Sequence, residues 1–357
     1  MKIKSMNIIS QTYETPIGVF DKVQLEEERS LRLVLTGRCN MACEFCVYKI
    51  RDFYSPEIHS PEFIEMRLTK ELSDTLEKMK NIHHFSIVHF TGGEPMLSKD
   101  IGRIAKMAKN LGLDTSICTN LINIKKLLVL LNQNLIDELT FSYFSLDDKG
   151  GRGLLPRHIG PNVERIRTIQ RNIELIRSEF PKLKVKTNIC INENTDLNDL
   201  SKFIEWCWER NIIPRAQRDR LSNRITGSTQ KTIALLKMLK MKPVSVAIRV
   251  PGAIEICKLK NNDEKELIVK IFNQNFRLKT VCKNCIKKES CTKSLSNIRL
   301  YNTKSGPKLC LCTSAKEKYA NQNIGDFIGS AASKEISNYK KDKMLYFNTF
   351  CDKPNHQ

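Results

Sequence analysis

From residue 30 onward the chain alternates short β-branched runs with longer stretches of helical spacing, and this alternation limits the fold more than any other feature. "LRLVLT" (31–36) reads as a buried strand, "MRLTKELSDTLEKMKN" (66–81) as a helix and "FSIVHF" (85–90) as a second strand. The cycle continues through helix "KDIGRIAKMAKNLG", strand "DTSICT", helix "INIKKLLVLLNQN" and strand "DELTFSYFSL". Val163, Ile166, Ile169, Ile173, Ile176 and Phe180 then share one helical face. Strand "KVKTNICI", helix "LNDLSKFIEWCWERN" and strand "IIPRAQ" complete the set. Six strands with helices between them imply a parallel sheet, because a parallel neighbour is reached only by a crossover. The pattern itself leaves open whether the sheet closes. In such sheets the chemistry gathers at the carboxyl ends of the strands.

After about residue 220 the regularity fails. "DRLSNRITGSTQ" (219–230) is polar and reads as a linker or mobile loop, and the remainder reads as a smaller appended domain. A length of 357 residues leaves room for about two domains. No run of 18 apolar residues occurs, and Gln11, Tyr13 and Glu14 interrupt the N-terminus before a signal-peptide core can form. The expected context is soluble and cytoplasmic, with no membrane partner. The net charge of +20 is spread over lysines mixed with Ile and Asn, without a basic block or aromatic interleaving. It reads as a solvated surface rather than a nucleic-acid face.

In a reducing compartment, clustered cysteines are metal ligands or catalysts rather than structural disulfides. Of the thirteen cysteines, Cys39, Cys43 and Cys46 fall in "RCNMACEFC", and Cys282, Cys285 and Cys291 lie in "VCKNCIKKESC", with Cys310 and Cys312 downstream. Cys118, Cys190, Cys207 and Cys257 sit among apolar neighbours and read as small core residues. Spacings of three and two residues describe one loop around a compact object. Structural zinc takes four ligands, and only His83 and His84, before a strand, offer to complete the first group. A [4Fe–4S] cluster held by three thiolates instead leaves one iron open for another molecule.

CxxxCxxC at the end of the first strand, with Phe45 before its last cysteine, resembles the radical S-adenosylmethionine (radical SAM) superfamily. "TGGEP" at the end of the second strand resembles that superfamily's GGEP motif. The resemblance implies a partial (β/α)6 TIM-like barrel in which SAM chelates the open iron of a [4Fe–4S] cluster. Reductive cleavage then yields a 5′-deoxyadenosyl radical that abstracts hydrogen from a substrate. It also implies a reducing partner such as flavodoxin or ferredoxin. Within the superfamily, "LRLVLTGRCNMAC", "TGGEPMLSKDI", "CTN", "SLD" and "VKTN" are most similar to the molybdenum-cofactor GTP 3′,8-cyclase family, and more loosely to SPASM/twitch enzymes. The implied cofactor-binding residues are Gly92, Gly93, Glu94, Pro95, Thr119, Asn120, Ser145 and Asn188, with Glu94 accepting hydrogen bonds from the SAM ammonium. The implied division is an extension (1–27), a radical SAM core (28–220) and an auxiliary-cluster domain (221–357).

Cys282, Cys285, Cys291 and Cys310 form the expected second site, a [4Fe–4S] cluster in preference to structural zinc, which uses the same thiolates. Ser296 stands where the cyclase family carries a cysteine, so the ligands are displaced. Arg32 matches a substrate-contacting arginine of that family, and Arg299 is what remains of a C-terminal arginine pair. Ser98 replaces another expected arginine, and the final "CDKPNHQ" lacks a terminal Gly-Gly. These departures argue against GTP 3′,8-cyclase activity itself. The expected function is a radical SAM enzyme acting on another small molecule, such as a nucleotide or sugar. A SPASM-type peptide maturase is the alternative, disfavoured because only about 28 residues precede the first strand. A non-catalytic iron–sulfur or zinc protein is the alternative of another class, and GGEP speaks against it.

Overall fold

The expected strands join one large sheet. The structure, a computed structural model, describes residues 7–9, 12–41, 46, 61–142, 146, 163–218, 225–252, 254–272, 278–283, 298–311 and 322–350. The chain opens with β1 (Asn7–Ile9), β2 (Tyr13–Thr15), β3 (Gly18–Phe20) and β4 (Val23–Glu27). The alternating region follows as β5 (Ser30–Thr36), β6 (Phe63–Ile64), α1 (Lys70–His83), β7 (Ile87–Gly92), α2 (Ile101–Asn110) and β8 (Asp114–Thr119). It continues through α3 (Ile124–Asn132), β9 (Glu138–Ser142), α4 (Val163–Glu179), β10 (Lys184–Ile191), α5 (Leu197–Glu209) and β11 (Ile213–Arg218).

Beyond β11 come α6 (Ile225–Met238), β12 (Lys242–Val250), β13 (Ile254–Lys260), β14 (Glu266–Phe272) and α7 (Lys279–Cys282). The last elements are β15 (Ile298–Thr303), β16 (Gly306–Cys310), β17 (Gln322–Asn323), α8 (Ile324–Ile328), α9 (Ala331–Lys341) and α10 (Lys343–Phe350).

Strands β5, β7, β8, β9, β10 and β11 lie side by side and parallel, forming the partial (β/α)6 TIM-like barrel. The sheet does not stop at either edge of this set. β14 pairs parallel with β11 and leads through β13 and β12 to β4, while β15 pairs parallel with β5 and leads to β16 and β17. Strands from the segments 1–27 and 221–357 therefore hydrogen-bond into the same sheet as the central region. No helix among the described residues is long and apolar enough to cross a membrane.

The two faces of each strand differ, which follows from the period of two. In β10, Val185, Thr187, Ile189 and Ile191 are buried, whereas Lys186, Asn188 and Cys190 are half-buried. In β7, Val88, Phe90 and Gly92 are buried and Ile87, His89 and Thr91 are not. In β11, Pro214 and Ala216 are buried between half-buried Ile213, Arg215 and Gln217. The sealed face joins the helices in one core that includes Ile101, Ile104 and Ala108 of α2 and Leu200, Phe203 and Ile204 of α5. Each fully buried Ile, Leu or Phe side chain among these contributes about 1.5–3 kcal/mol. The other face lines a polar interior.

One expectation needs correction. Residues 225–230, read as part of a polar linker, begin α6. Ser228 and Thr232 are both buried there, and the Thr232 hydroxyl donates to the Ser228 carbonyl at 2.8 Å, a bond that satisfies Thr232 within the helix itself. Residues 219–224 lie outside the described residues.

Candidate active site

The end of β5 and the turn after β7 are stitched together by backbone hydrogen bonds. Gly93 N donates to Thr36 O and Glu94 N to Arg38 O, both at 2.7 Å. The approach is too close for a side chain: a Cβ on Gly93 would lie 2.1 Å from the Arg38 carbonyl oxygen, and one on Gly92 would lie 2.4 Å from Thr36 O. Gly92 also has φ +129°, which an L side chain rarely adopts. The paired glycines thus let the chain's own cysteine loop rest on the GGEP turn. Arg38 adds side-chain bonds to Glu65 Oε2 (2.9 Å) and Leu97 O (2.7 Å). Cys39 is exposed just past this contact and accepts a hydrogen bond from Met41 N at 3.4 Å; Cys46 is half-buried. Cys43 lies outside the described residues.

Glu94 is 2% exposed. Its Oε1 accepts from Met96 N at 3.0 Å and Thr119 Oγ1 at 2.7 Å, and its Oε2 accepts from Asn120 N at 2.8 Å. Burial raises its pKa, and these three donors oppose the rise. The carboxylate so joins the ends of β7 and β8 and keeps one lone pair of Oε2 for a ligand. Asn120 Nδ2 in turn donates to Asn40 Oδ1 of the cysteine loop at 2.7 Å. Pro95 begins a buried 3₁₀ turn, Pro95–Leu97, capped by Glu94. Gly92, Gly93, Glu94, Pro95, Thr119 and Asn120 thus meet beside Cys39. Ser145 lies outside the described residues.

Asn188 faces a different neighbour. Its Oδ1 accepts from both Arg215 Nε (2.9 Å) and Arg215 Nη2 (2.7 Å), and its Nδ2 approaches Cys118 Sγ at 3.8 Å. Arg215 belongs to an interior wall that the sequence reading did not identify. Arg32, Arg215 and Lys270 all act on His89 and Cys118, and Arg249 acts on Arg215. Glu138 is the carboxylate among them. Burial alone would raise its pKa, but Lys186 at 2.6 Å, Lys184 at 3.2 Å and Arg215 hold it at about 2. Lys186 is itself lowered to about 8, chiefly by burial against the opposing pull of Glu138. Arg249 bonds Glu26 at 3.3 Å. Among the described residues named here, Arg32, Arg215, Arg249, Lys186 and Lys270 stand with Glu138 and Glu26. The sequence did carry a signal: Arg215, His89 and Lys270 each interrupt an apolar strand run at an alternate position.

Arg299 on β15 is register-paired with Arg32 on β5 and with Cys310 on β16. Because β16 runs antiparallel, Cys310 is level with the lower part of β5, whereas Cys39 lies beyond its upper end. From Arg32 to Thr36 alone the strand climbs about 13 Å. Cys282 ends α7, whose first amides, Lys279 N and Thr280 N, donate to Glu335 of α9 at 2.8 and 2.9 Å. Cys285 and Cys291 lie outside the described residues. His83 is not beside the cysteine loop. It is buried at the end of α1, below the start of β7, with Nε2 3.0 Å from Ser333 Oγ and its ring 5.2 Å from that of Phe327.

The comparisons with known proteins agree with this geometry. An S-adenosylmethionine-dependent nucleotide dehydratase of Flammeovirga pacifica is 32% identical over 176 residues, 48% of this chain and 57% of that protein. GTP 3′,8-cyclase of Haemophilus influenzae is 28% identical over 184 residues, 51% of this chain and 50% of that protein. The chain thus spans little more than half the length of these relatives. The solved structure of anSMEcpe with bound AdoMet and Cp18Cys peptide shares the fold at a TM-score of 0.54. It is 13% identical and covers 90% of this chain and 87% of its own. A family model for the Radical SAM superfamily matches residues 33–207, the span from β5 through α5 that brings the cysteine loop against the GGEP turn. Over that span, which holds the start of the cysteine segment and the two glycines on which Thr36 and Arg38 rest, the chain is similar to the radical SAM superfamily.

Proposed function

We propose that the protein is an enzyme that cleaves SAM reductively at a [4Fe–4S] cluster held by Cys39, Cys43 and Cys46, and transforms a small anionic substrate of nucleotide type inside the barrel. The observation that carries this reading is the position of the cysteine loop and the Glu94–Thr119–Asn120 group above an interior wall rich in Arg and Lys. The donor set fits the cluster: three thiolates, with Met41 N donating to the Cys39 sulfur. When bound, the cluster supplies the electron that breaks the sulfur–carbon bond of SAM. This chain's residues do the rest. Glu94 fixes the β7 and β8 ends so that Gly93 and Asn120 present their polar groups to SAM. The guanidinium groups of Arg32 and Arg215 and the Lys270 ammonium orient the anionic end of the substrate. The two relatives that act on nucleotides by their names support the same substrate class. Modification of a peptide draws support from likeness of fold alone. The electron would come from a flavodoxin- or ferredoxin-type donor, and a second cluster at Cys282, Cys285, Cys291 and Cys310 would sit toward the lower end of the interior.

Anaerobically reconstituted protein given dithionite and SAM should release 5′-deoxyadenosine, and Cys39→Ala should abolish it. Release that persists in Cys39→Ala, or none from the parent protein with its cluster loaded, would overturn the assignment.

A further inference from the structure

Residues 62–68 cross the carboxyl ends of β15 and β5. Lys304 N donates to Glu62 O at 3.0 Å, Phe63 and Ile64 of β6 pair with Thr303 and Asn302 of β15, and Met66 N donates to Leu35 O at 2.9 Å. Leu68 N then donates to Asp100 Oδ2 at 3.1 Å, just before α2. Glu65 lies in the middle of this crossing, and its carboxylate is divided between two other segments. Oε2 accepts from Arg38 Nη2 at 2.9 Å, and Oε1 accepts from Lys99 N at 2.8 Å. Arg38 Nη2 also donates to Leu97 O at 2.7 Å. Lys126, whose ammonium donates to Ser98 O, stands beside the same carboxylate.

A surface ion pair is ordinarily worth little, because water screens it and two long side chains must be held still. Here the Glu65 side chain is only 18% exposed. Arg38 is 56% exposed, yet its guanidinium is held between Glu65 and Leu97 O, and the second donor to Glu65 is backbone. The chain from Arg38 to Glu65 carries Cys39, Cys43 and Cys46. The carboxylate therefore joins the two ends of the segment that supplies the three thiolates. Holding both ends removes chain freedom that the segment would otherwise lose on binding iron.

We propose that Glu65 is a positioning residue of the first cluster. By bonding Arg38 and Lys99 N it holds the cysteine segment against the turn after β7, and its charge balances that of Arg38 beside Cys39. This rests on the reading above that Cys39, Cys43 and Cys46 hold a [4Fe–4S] cluster. An electron entering such a cluster makes it more negative by one charge, so neighbouring charges bias its reduction. An unbalanced Arg38 favours the reduced form and an unbalanced Glu65 opposes it; paired, the two largely cancel.

The test compares anaerobically reconstituted parent protein with Glu65→Gln, Arg38→Gln, the double variant and Lys99→Ala. Iron release to a chelator and the midpoint potential of the cluster, from its EPR signal under reductive titration, are measured without SAM. Gln offers one oxygen where Glu65 serves two donors, so Glu65→Gln should release iron about tenfold faster than the parent. Its potential should shift upward and that of Arg38→Gln downward, with the double variant returning toward the parent. Lys99→Ala keeps its backbone donor and should match the parent in both readings. A purely structural role would speed iron release in both single variants without opposite shifts in potential. Potentials that move the same way, or not at all, overturn the charge balance, and iron release equal to the parent's overturns the positioning role. If Glu65→Gln does not fold, Glu65→Asp and Arg38→Gln carry the same comparison. A parent protein that folds and assembles no cluster removes the proposed function itself, and this role with it.

Discussion

The Thr119 hydroxyl donates to the Glu94 carboxylate at 2.7 Å, tying the end of β8 to the turn that follows β7. With Met96 N and Asn120 N on the same carboxylate, Glu94 is as much a part of the scaffold as of any ligand site. Removing it leaves three donors short of a partner in a buried place.

Glu94→Ala should therefore lower stability by on the order of 4 kcal/mol as well as abolishing SAM binding. Thr119→Val removes one of the three bonds and should cost about 1–2 kcal/mol while the protein stays folded. Urea unfolding of the apo-protein separates the two. A Glu94→Ala protein as stable as the parent would show that the three bonds contribute nothing net, and that the residue serves the ligand alone.

Gly93→Ala should prevent the cysteine loop from docking. The new Cβ would meet the Arg38 carbonyl oxygen at 2.1 Å, and backbone on both sides leaves nothing flexible to give way. The expected result is loss of iron loading and of the visible cluster absorption, with the helices still folded by circular dichroism. Gly325→Ala is the control, since a Cβ there meets nothing within 4 Å. Normal iron content in Gly93→Ala would show that the loop reaches its cluster-holding position without this contact.

How much of this was legible in the sequence depends on range. β8 and β10 fall on "DTSICT" and "KVKTNICI", because a short β-branched run bounded by polar residues is local information. β7 begins two residues later than its apolar run, and α6 starts inside a segment whose hydroxyl residues looked like loop. The flanking partners were not legible: nothing local tells β14 to lie beside β11, or β4 to lie beside β12. The same holds for the site. Its upper edge is written in two contiguous motifs. The wall of Arg32, His89, Arg215 and Lys270 draws one residue from each of four strands, spread over more than 200 positions, and only the sheet brings them together.

His83 gives a stability test with a definite sign. Burial first, then Lys340 and His84, lower its pKa from 6.5 to about 4 in the folded protein. Above pH 6.5 the ring is neutral in both states and carries no penalty. Between pH 6.5 and 4 the unfolded chain binds a proton that the folded one refuses, so stability is lost as pH falls. The loss is about 1.4 kcal/mol per pH unit, or about 3 kcal/mol across the window. His83→Gln retains a side chain that can bond Ser333 and does not titrate. Its stability relative to the parent should improve by about 2 kcal/mol between pH 6.5 and pH 5. Parallel pH profiles of the two apo-proteins would show that His83 is not the acid-sensitive group.

The last test concerns the lower end of β5, where Cys310 is register-paired with Arg299 and Arg299 with Arg32. A cluster that includes Cys310 would lie level with Arg32, below the end of β5 that leads to Cys39. If the two sites are both cubanes, reconstituted protein should hold about eight irons per chain. Replacing Cys39, Cys43 and Cys46 together by Ala should leave about half of them, with Cys310→Ser removing the remainder. The two sites also predict different responses to an anion. Tripolyphosphate added to the Cys39/43/46→Ala protein should perturb the spectrum of the remaining cluster only if one of its irons lacks a thiolate and accepts a phosphate oxygen. Four thiolate ligands would leave that spectrum unchanged and assign the lower cluster to electron relay or to holding the fold. Zinc, or no metal, in the triple variant would remove the second cluster altogether. β15 and β16 would then serve to extend the sheet and to carry Arg299 to the side of Arg32.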